Sequence, residues 1–173
     1  MDKVNYIRIL DQNSSDTLQL AKSFSPAQLS SRKKSEWSIM QILEHLCIVD
    51  KICYVIISRP SDKIAETNEI IGNHQLKVLV ADQRDKKVES PEILRPRGTI
   101  TDVPVFEKIF LQQRNLLKED ILAGKIIIDN RIHQHSFLGE MTISDWLNFI
   151  VHHTQRHLEQ IKEVITWSEK STT

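Results

Sequence analysis

At 173 residues, 27% charged and 40% hydrophobic, the chain has the size and composition of one soluble globular domain, residues 1–173, that buries a core without disulfides. Lys plus Arg balances Asp plus Glu at 23 each, so no net field draws it to nucleic acid or to anionic lipid, and no apolar run is long enough to span a bilayer. The opening Met1-Asp2-Lys3-Val4-Asn5 lacks the basic stretch and apolar run of a secretory signal, so the expected setting is cytoplasmic, with neither nucleic acid nor membrane as partner.

Four Gly and five Pro punctuate apolar residues that recur mostly with helical spacing, which predicts an all-α fold. A first helix is expected over roughly 2–23, followed by a short turn of helix opening at Ser25-Pro26, where Ser caps and Pro suits the first helical position. The second helix starts at Ser38: Ser38 with Gln41 fits a capping box, Trp37 with Ile42 a hydrophobic staple, and Pro60 stops the helix near Arg59. Within it, Cys47 and Cys53 point about 120° apart and are not expected to bridge, in keeping with a reducing compartment. A third helix is expected from residue 62 to the mid-80s. Pro91, Pro96 and Gly98 then mark 85–102 as a long irregular connection that shapes the substrate pocket.

A further helix is predicted from about Pro104 to Ala123, ending at Gly124, with Lys125 to Asp129 briefly extended. The last helix repeats the earlier device, Thr142 with Asp145 as capping box and Met141 with Trp146 as staple, and continues to about Trp167. No internal repeat is present, so the helices pack as a bundle with a long crossover loop. Trp37 and Trp146 read first as staple and core residues.

Of seven histidines, four bear on function. At about 100° per residue, His153 and His157 fall on the inward stripe of Trp146, Phe149, Ile150, Ile161 and Val164. His152 falls with Arg156, Glu159 and Glu163 and is expected to face solvent. An i, i+4 histidine pair places two imidazoles one turn apart, close enough to share an ion through neutral nitrogens. His45 supplies a third inward imidazole, on the stripe of Ser38, Ile42, Val49, Ile52 and Ile56. It precedes His153 by 108 residues, so the three meet only if the second and last helices are neighbours. Without partners, each buried imidazole costs about 1–3 kcal/mol in unmet hydrogen bonds, which a shared cation removes; the competing reading is of satisfied core histidines. Gln160 lies on the same stripe and is placed to orient a ligand or a bound water. Glu44, although next to His45, points to another face and is set aside.

Three segments, Trp37-Ser38-Ile39-Met40-Gln41-Ile42-Leu43-Glu44-His45-Leu46, His135-Ser136-Phe137-Leu138-Gly139-Glu140-Met141-Thr142 and Trp146 through Ile161 with its His153-Thr154-Gln155-Arg156-His157, together resemble the DinB/YfiT-like superfamily of metal-binding four-helix bundles. The resemblance implies one divalent transition metal ion, nickel or zinc, held by one histidine of the second helix and two from an H-x-x-x-H in the last. Carried over by position, these are His45, His153 and His157. It also implies homodimers, and activities of two kinds: metal-dependent hydrolysis, or S-transfer and isomerisation with a low-molecular-weight thiol. Ser136 and Glu140 stand where prolines are common in such proteins, a departure that touches the local turn and not the ligands.

The first functional expectation is therefore a metal-dependent enzyme acting on a small-molecule substrate, the ion activating either water or a thiol. His135, just before the last helix, is a candidate catalytic acid or base, the alternative being a turn histidine bonded to backbone. Two further readings stay open: a non-catalytic, metal-dependent binding module for a small anionic or thiol ligand, and a dimeric bundle whose histidines fill the core.

Overall fold

The computed structural model describes residues 1–33, 36–82 and 89–171. In chain order it contains α1 (Lys3–Lys22), the single turn α2 (Pro26–Leu29), α3 (Ile39–Ile57), α4 (Asn73–Leu76), which continues as a π-helical stretch Lys77–Asp82, α5 (Val103–Leu122), the hairpin β1 (Ile132–His135) and β2 (Gly139–Thr142), and α6 (Ile143–Ser171). The four long helices form the bundle: α1 packs on α5 and α6, and α3 packs on the same two. This arrangement makes α3 and α6 neighbours, the condition that convergence of the histidines required.

Local chemistry sets the helix starts. Ser38 accepts the Gln41 amide while the Gln41 side chain accepts the Ser38 amide, and Ser25 with Gln28 closes the same reciprocal box ahead of α2, with Pro26 at its first position. Asp2 and Asp102 cap α1 and α5 by accepting from Asn5 N and Val105 N. Before α6, the Thr142 hydroxyl accepts from Asp145 N at 3.2 Å and the Asp145 carboxylate accepts from Thr142 N at 3.1 Å.

Two expectations about the connections need correction. No helix begins at residue 62. The chain from Pro60 to Gly72 is irregular and runs beside the later hairpin, with Ile132 N bonded to Lys63 O, Ala65 N to Asn130 O, and Ile64 bridged to Arg131. These long-range backbone bonds compete with helix formation, and Gly72, at φ +83°, breaks the path just before α4. The end of the expected helix, beyond Asp82, lies outside the described residues. Nor is 125–129 extended: Lys125 N and Ile126 N both return to Asp120 O and wrap the end of α5. The strands come later, paired antiparallel with His133 opposite Met141 and His135 opposite Gly139.

The core has two apolar halves. One gathers Tyr6, Leu10, Cys53, Ile57, Leu117, Ile121, Leu147 and Ile150, among others. The other gathers Ala21, Ile39, Ile42, Leu43, Leu46, Phe106, Phe110, Ile161 and Val164. At the waist between them, Arg114 of α5 donates to Asp50 of α3 at 2.6 and 3.3 Å, to Asn13 of α1 at 3.2 Å and to Thr154 of α6 at 2.8 Å, so each bundle helix contributes one side chain. Arg114 and Asp50 are 3% and 6% exposed, and the guanidinium also lies 4.7 Å from the Phe110 ring centroid. Burial pushes the Asp50 pKa up against the pull of Arg114, whose charge is permanent.

Candidate metal centre

The histidines occupy the same level of the bundle, at the seam of α3 and α6. His153 and His157 are one turn apart on α6, with ring centroids 4.5 Å from each other. The His45 ring reaches across from α3 to centroid distances of 5.2 Å from His153 and 4.8 Å from His157. One ring nitrogen from each residue lies within 4.8 Å of the other two, and His153 Nε2 and His157 Nε2 are 3.1 Å apart. The Trp37 ring sits 4.8 Å from His45 and the Phe149 ring 5.2 Å from His153, so aromatic walls flank the cluster.

Hydrogen bonds fix which nitrogen is free. A backbone carbonyl only accepts, so His45 Nδ1, 2.7 Å from Leu94 O, carries the proton and leaves Nε2 with its lone pair. His157 Nδ1 likewise donates to Gln160 Oε1 at 2.7 Å. Burial also keeps the rings neutral. It depresses the pKa of His157 to about 3 and that of His153 well below the ordinary value, with the neighbouring histidines adding to both effects. For His45, burial outweighs the opposing bond to Leu94, so its pKa is lowered too. The Nε2 lone pairs of His45 and His157 face the cluster, His153 Nε2 is in hydrogen-bond contact with His157 Nε2, and neutral imidazoles grouped in this way are a donor set that a borderline divalent cation takes. An ion at about 2.0–2.1 Å from each nitrogen in tetrahedral geometry would space its donors roughly 3.4 Å apart, close to the 3.1 Å between His153 Nε2 and His157 Nε2.

The sequence profile of the DinB superfamily matches residues 9–161. The chain belongs to the DinB superfamily. It is also 28% identical over 150 residues to YuaE, an uncharacterised protein of Bacillus subtilis (strain 168), an alignment covering 86% of this chain and 90% of that one. No solved structure gives a significant match.

Not every expectation about the surrounding residues survives in this DinB chain. His152 is not on a solvated face: it is 7% exposed, its Nε2 is 2.7 Å from Asn73 Oδ1 and its Nδ1 is 3.0 Å from Gln155 Oε1. The helical wheel assigned it to the polar side correctly, but α4 and its π-helical continuation pack over that side, and Arg156 there donates to Val80 O at 3.1 Å. His152 is outside the three-histidine cluster.

His135 is bonded to its own turn: Nδ1 accepts from Phe137 N and Leu138 N, both at 3.2 Å. The neutral ring therefore carries its proton on Nε2, and burial depresses its pKa to about 4. Its centroid is 4.8 Å from that of Phe149, so one aromatic ring separates it from His153. Trp146 is 3% exposed and donates through Nε1 to His133 O at 3.4 Å, a core residue as expected.

Sequence reasoning passed over Glu44. It is 2% exposed, and its carboxylate accepts from Arg97 N, Gly98 N, Thr99 N and the Thr99 hydroxyl at 3.1, 2.8, 2.9 and 2.7 Å. Burial works to raise the Glu44 pKa, but these hydrogen bonds outweigh it and hold it below the usual carboxylate value. The available signal was a carboxylate on an otherwise apolar stretch of helix, where only a dedicated partner makes burial tolerable.

Proposed function

We propose that His45, His153 and His157 bind one divalent transition metal ion, zinc or nickel, and that the protein is a metal-dependent enzyme acting on a small molecule. The observation that carries this reading is the convergence of three neutral imidazoles, one ring nitrogen of each within 4.8 Å of the others, with His45 and His157 held in the tautomer that leaves Nε2 free to coordinate. The leading influences on His153, burial, the neighbouring histidines and Arg156, all act to keep its ring neutral. Leu94 O and Gln160 Oε1 hold the His45 and His157 rings in the tautomer that presents Nε2, a supporting role that commonly tunes affinity tenfold or more.

A bound ion supplies Lewis acidity, bringing the pKa of water or of a thiol toward neutrality, and so suits hydrolysis or thiol S-transfer. The protein's own groups do the rest. Trp37 and Phe149 exclude water from two sides of the cluster and offer apolar contact to a substrate. His135, neutral and with its proton on Nε2, serves as a hydrogen-bond donor. A cytoplasmic, homodimeric protein with a small-molecule substrate, and no nucleic acid or membrane as partner, completes the proposal. Its support is the balanced charge and the finding that, among the described residues, no helix is long and apolar enough to cross a membrane.

Elemental analysis of protein purified without a polyhistidine tag tests the centre: close to one zinc or nickel per chain is expected, falling to near zero in His157→Ala. Hydrolysis of ester and amide substrates and conjugation of small thiols, assayed in wild type and His157→Ala, then separate catalysis from mere binding. Metal uptake with no metal-dependent turnover in either assay would favour a binding module.

A further inference from the structure

Adjacent residues of α3 hold two points of one connection. His45 donates through Nδ1 to Leu94 O, the last residue of a 3₁₀ turn, Glu92–Leu94, while Glu44 collects three backbone amides and a hydroxyl from Arg97, Gly98 and Thr99. The carboxylate fills a concave array of N–H groups of the kind that binds anions, made possible by Gly98 at φ +76°. Only Pro96 and Arg95 separate the two anchored points, and consecutive Cα atoms stay about 3.8 Å apart, so fixing 97–99 confines the Leu94 carbonyl. That carbonyl alone dictates which His45 nitrogen carries the proton.

From this juxtaposition we infer that Glu44 is a positioning residue for the metal centre: by clamping residues 97–99 it holds Leu94 O on His45 Nδ1 and so keeps His45 Nε2 directed at the cluster. The inference deepens the proposed metal site and rests on it for its effect on affinity, but its first step, the orientation of His45, exists without metal.

Asp145 provides the control. It too is a fully buried carboxylate that gathers loop amides, from Ile70, Ile71 and Gly72 at 2.8, 3.3 and 2.9 Å, but the loop it pins carries no partner of the three histidines. A residue that merely supports the fold behaves like Asp145; a positioning residue does not. In E44Q the amide oxygen can still accept from Arg97 N and Thr99, but the NH₂ confronts the Gly98 N–H and the negative charge is gone, so the clamp is weakened. G98A is the milder companion: a Cβ there meets nothing within 4 Å, so its whole effect is backbone strain at positive φ.

The experiment measures zinc affinity by chelator competition in wild type, E44Q, G98A and D145N. In parallel, NMR of the metal-free proteins follows the imidazole N–H of His45, assigned by its loss in His45→Gln. Expected are a ten- to hundredfold loss of zinc affinity in E44Q, a smaller loss in G98A, and disappearance or rapid exchange of the His45 N–H signal in both. D145N loses thermal stability but keeps the affinity and the signal. An E44Q protein with wild-type affinity, or one that retains a protected His45 N–H, overturns the inference. So does an equal loss of affinity in D145N. Should E44Q not fold, G98A with an unchanged signal overturns it alone. If wild type takes up no zinc, the metal reading fails, and the imidazole signal by itself decides the role of Glu44.

Discussion

Two polar clusters lie at the waist of this bundle, and they are built on opposite plans. Around Arg114 each guanidinium nitrogen meets an acceptor and the cation faces a carboxylate, so the cluster is closed by the chain's own groups. Around His45, His153 and His157 the outer nitrogens of His45 and His157 are satisfied by Leu94 and Gln160, while the inner nitrogens turn toward one another, His153 Nε2 and His157 Nε2 at 3.1 Å. Burial is comparable, so burial alone does not mark a functional site. The informative property is the unmet valence that remains after the protein's own partners are counted.

The sharpest way to break the contrast is to unbalance the closed cluster. Arg114→Leu strands the Asp50 carboxylate in the core and is expected to lower unfolding free energy by about 3–5 kcal/mol in urea titrations, whereas Asp50→Leu with Arg114→Met, which removes both charges, recovers most of that loss. Stability should respond to metal only through the open cluster. Zinc or nickel at a hundred times its dissociation constant is expected to add about 2.7 kcal/mol, seen as a rise in Tm that a chelator reverses and that His45→Ala, His153→Ala and His157→Ala each abolish.

A smaller effect separates the buried but non-ligating histidine from the cluster. His152→Ala removes a buried ring from beneath α4, while its exposed partners Asn73 and Gln155 turn to water, and should cost about 1–2 kcal/mol of stability while leaving metal uptake intact; parallel loss of uptake would show that the division between His152 and His153 is wrong. The smallest expected effect is a pH dependence. His135 has a folded pKa of about 4, below its ordinary 6.5, so its contribution to stability is complete above pH 6.5 and is lost as the pH falls toward 4, when protonation at Nδ1 breaks the bonds from Phe137 and Leu138. His135→Asn should make the Tm profile less steep across that window without flattening it, because burial also depresses the pKa values of His153 and His157.

What the sequence disclosed was set by interactions close along the chain. Ser38 with Gln41, Ser25 with Pro26 and Thr142 with Asp145 each meet within one helical turn, so their roles could be read without knowing the fold. The i, i+4 spacing of His153 and His157 was legible for the same reason, and His45 followed from the inward stripe of α3. What remained hidden depends on neighbours distant in sequence. The wheel gave the right face for His152 but not the short helix that covers it, and the hydrophobic spacing of α5 did not reveal that Arg114, in line with Phe106 and Phe110, points inward to Asp50. The hairpin at 132–142 is local, His135 pairing with Gly139, yet its four-residue strands Ile132-His133-Gln134-His135 and Gly139-Glu140-Met141-Thr142 carry too little alternating apolar pattern to mark them in the sequence.

The Arg114 cluster has one more implication. Apolar layers tolerate helices sliding past one another, because one greasy contact replaces the next at little cost. A guanidinium that must meet Asn13, Asp50 and Thr154 at once does not: displacing any of the helices by a turn, about 5.4 Å, would leave it facing hydrocarbon. The link thus acts as an alignment pin, and because α3 and α6 also carry the histidines, the same pin fixes the height at which their imidazoles meet. The apolar double variant at Asp50 and Arg114 should keep its stability yet show broadened NMR signals at the waist, the mark of helices no longer held to one longitudinal setting.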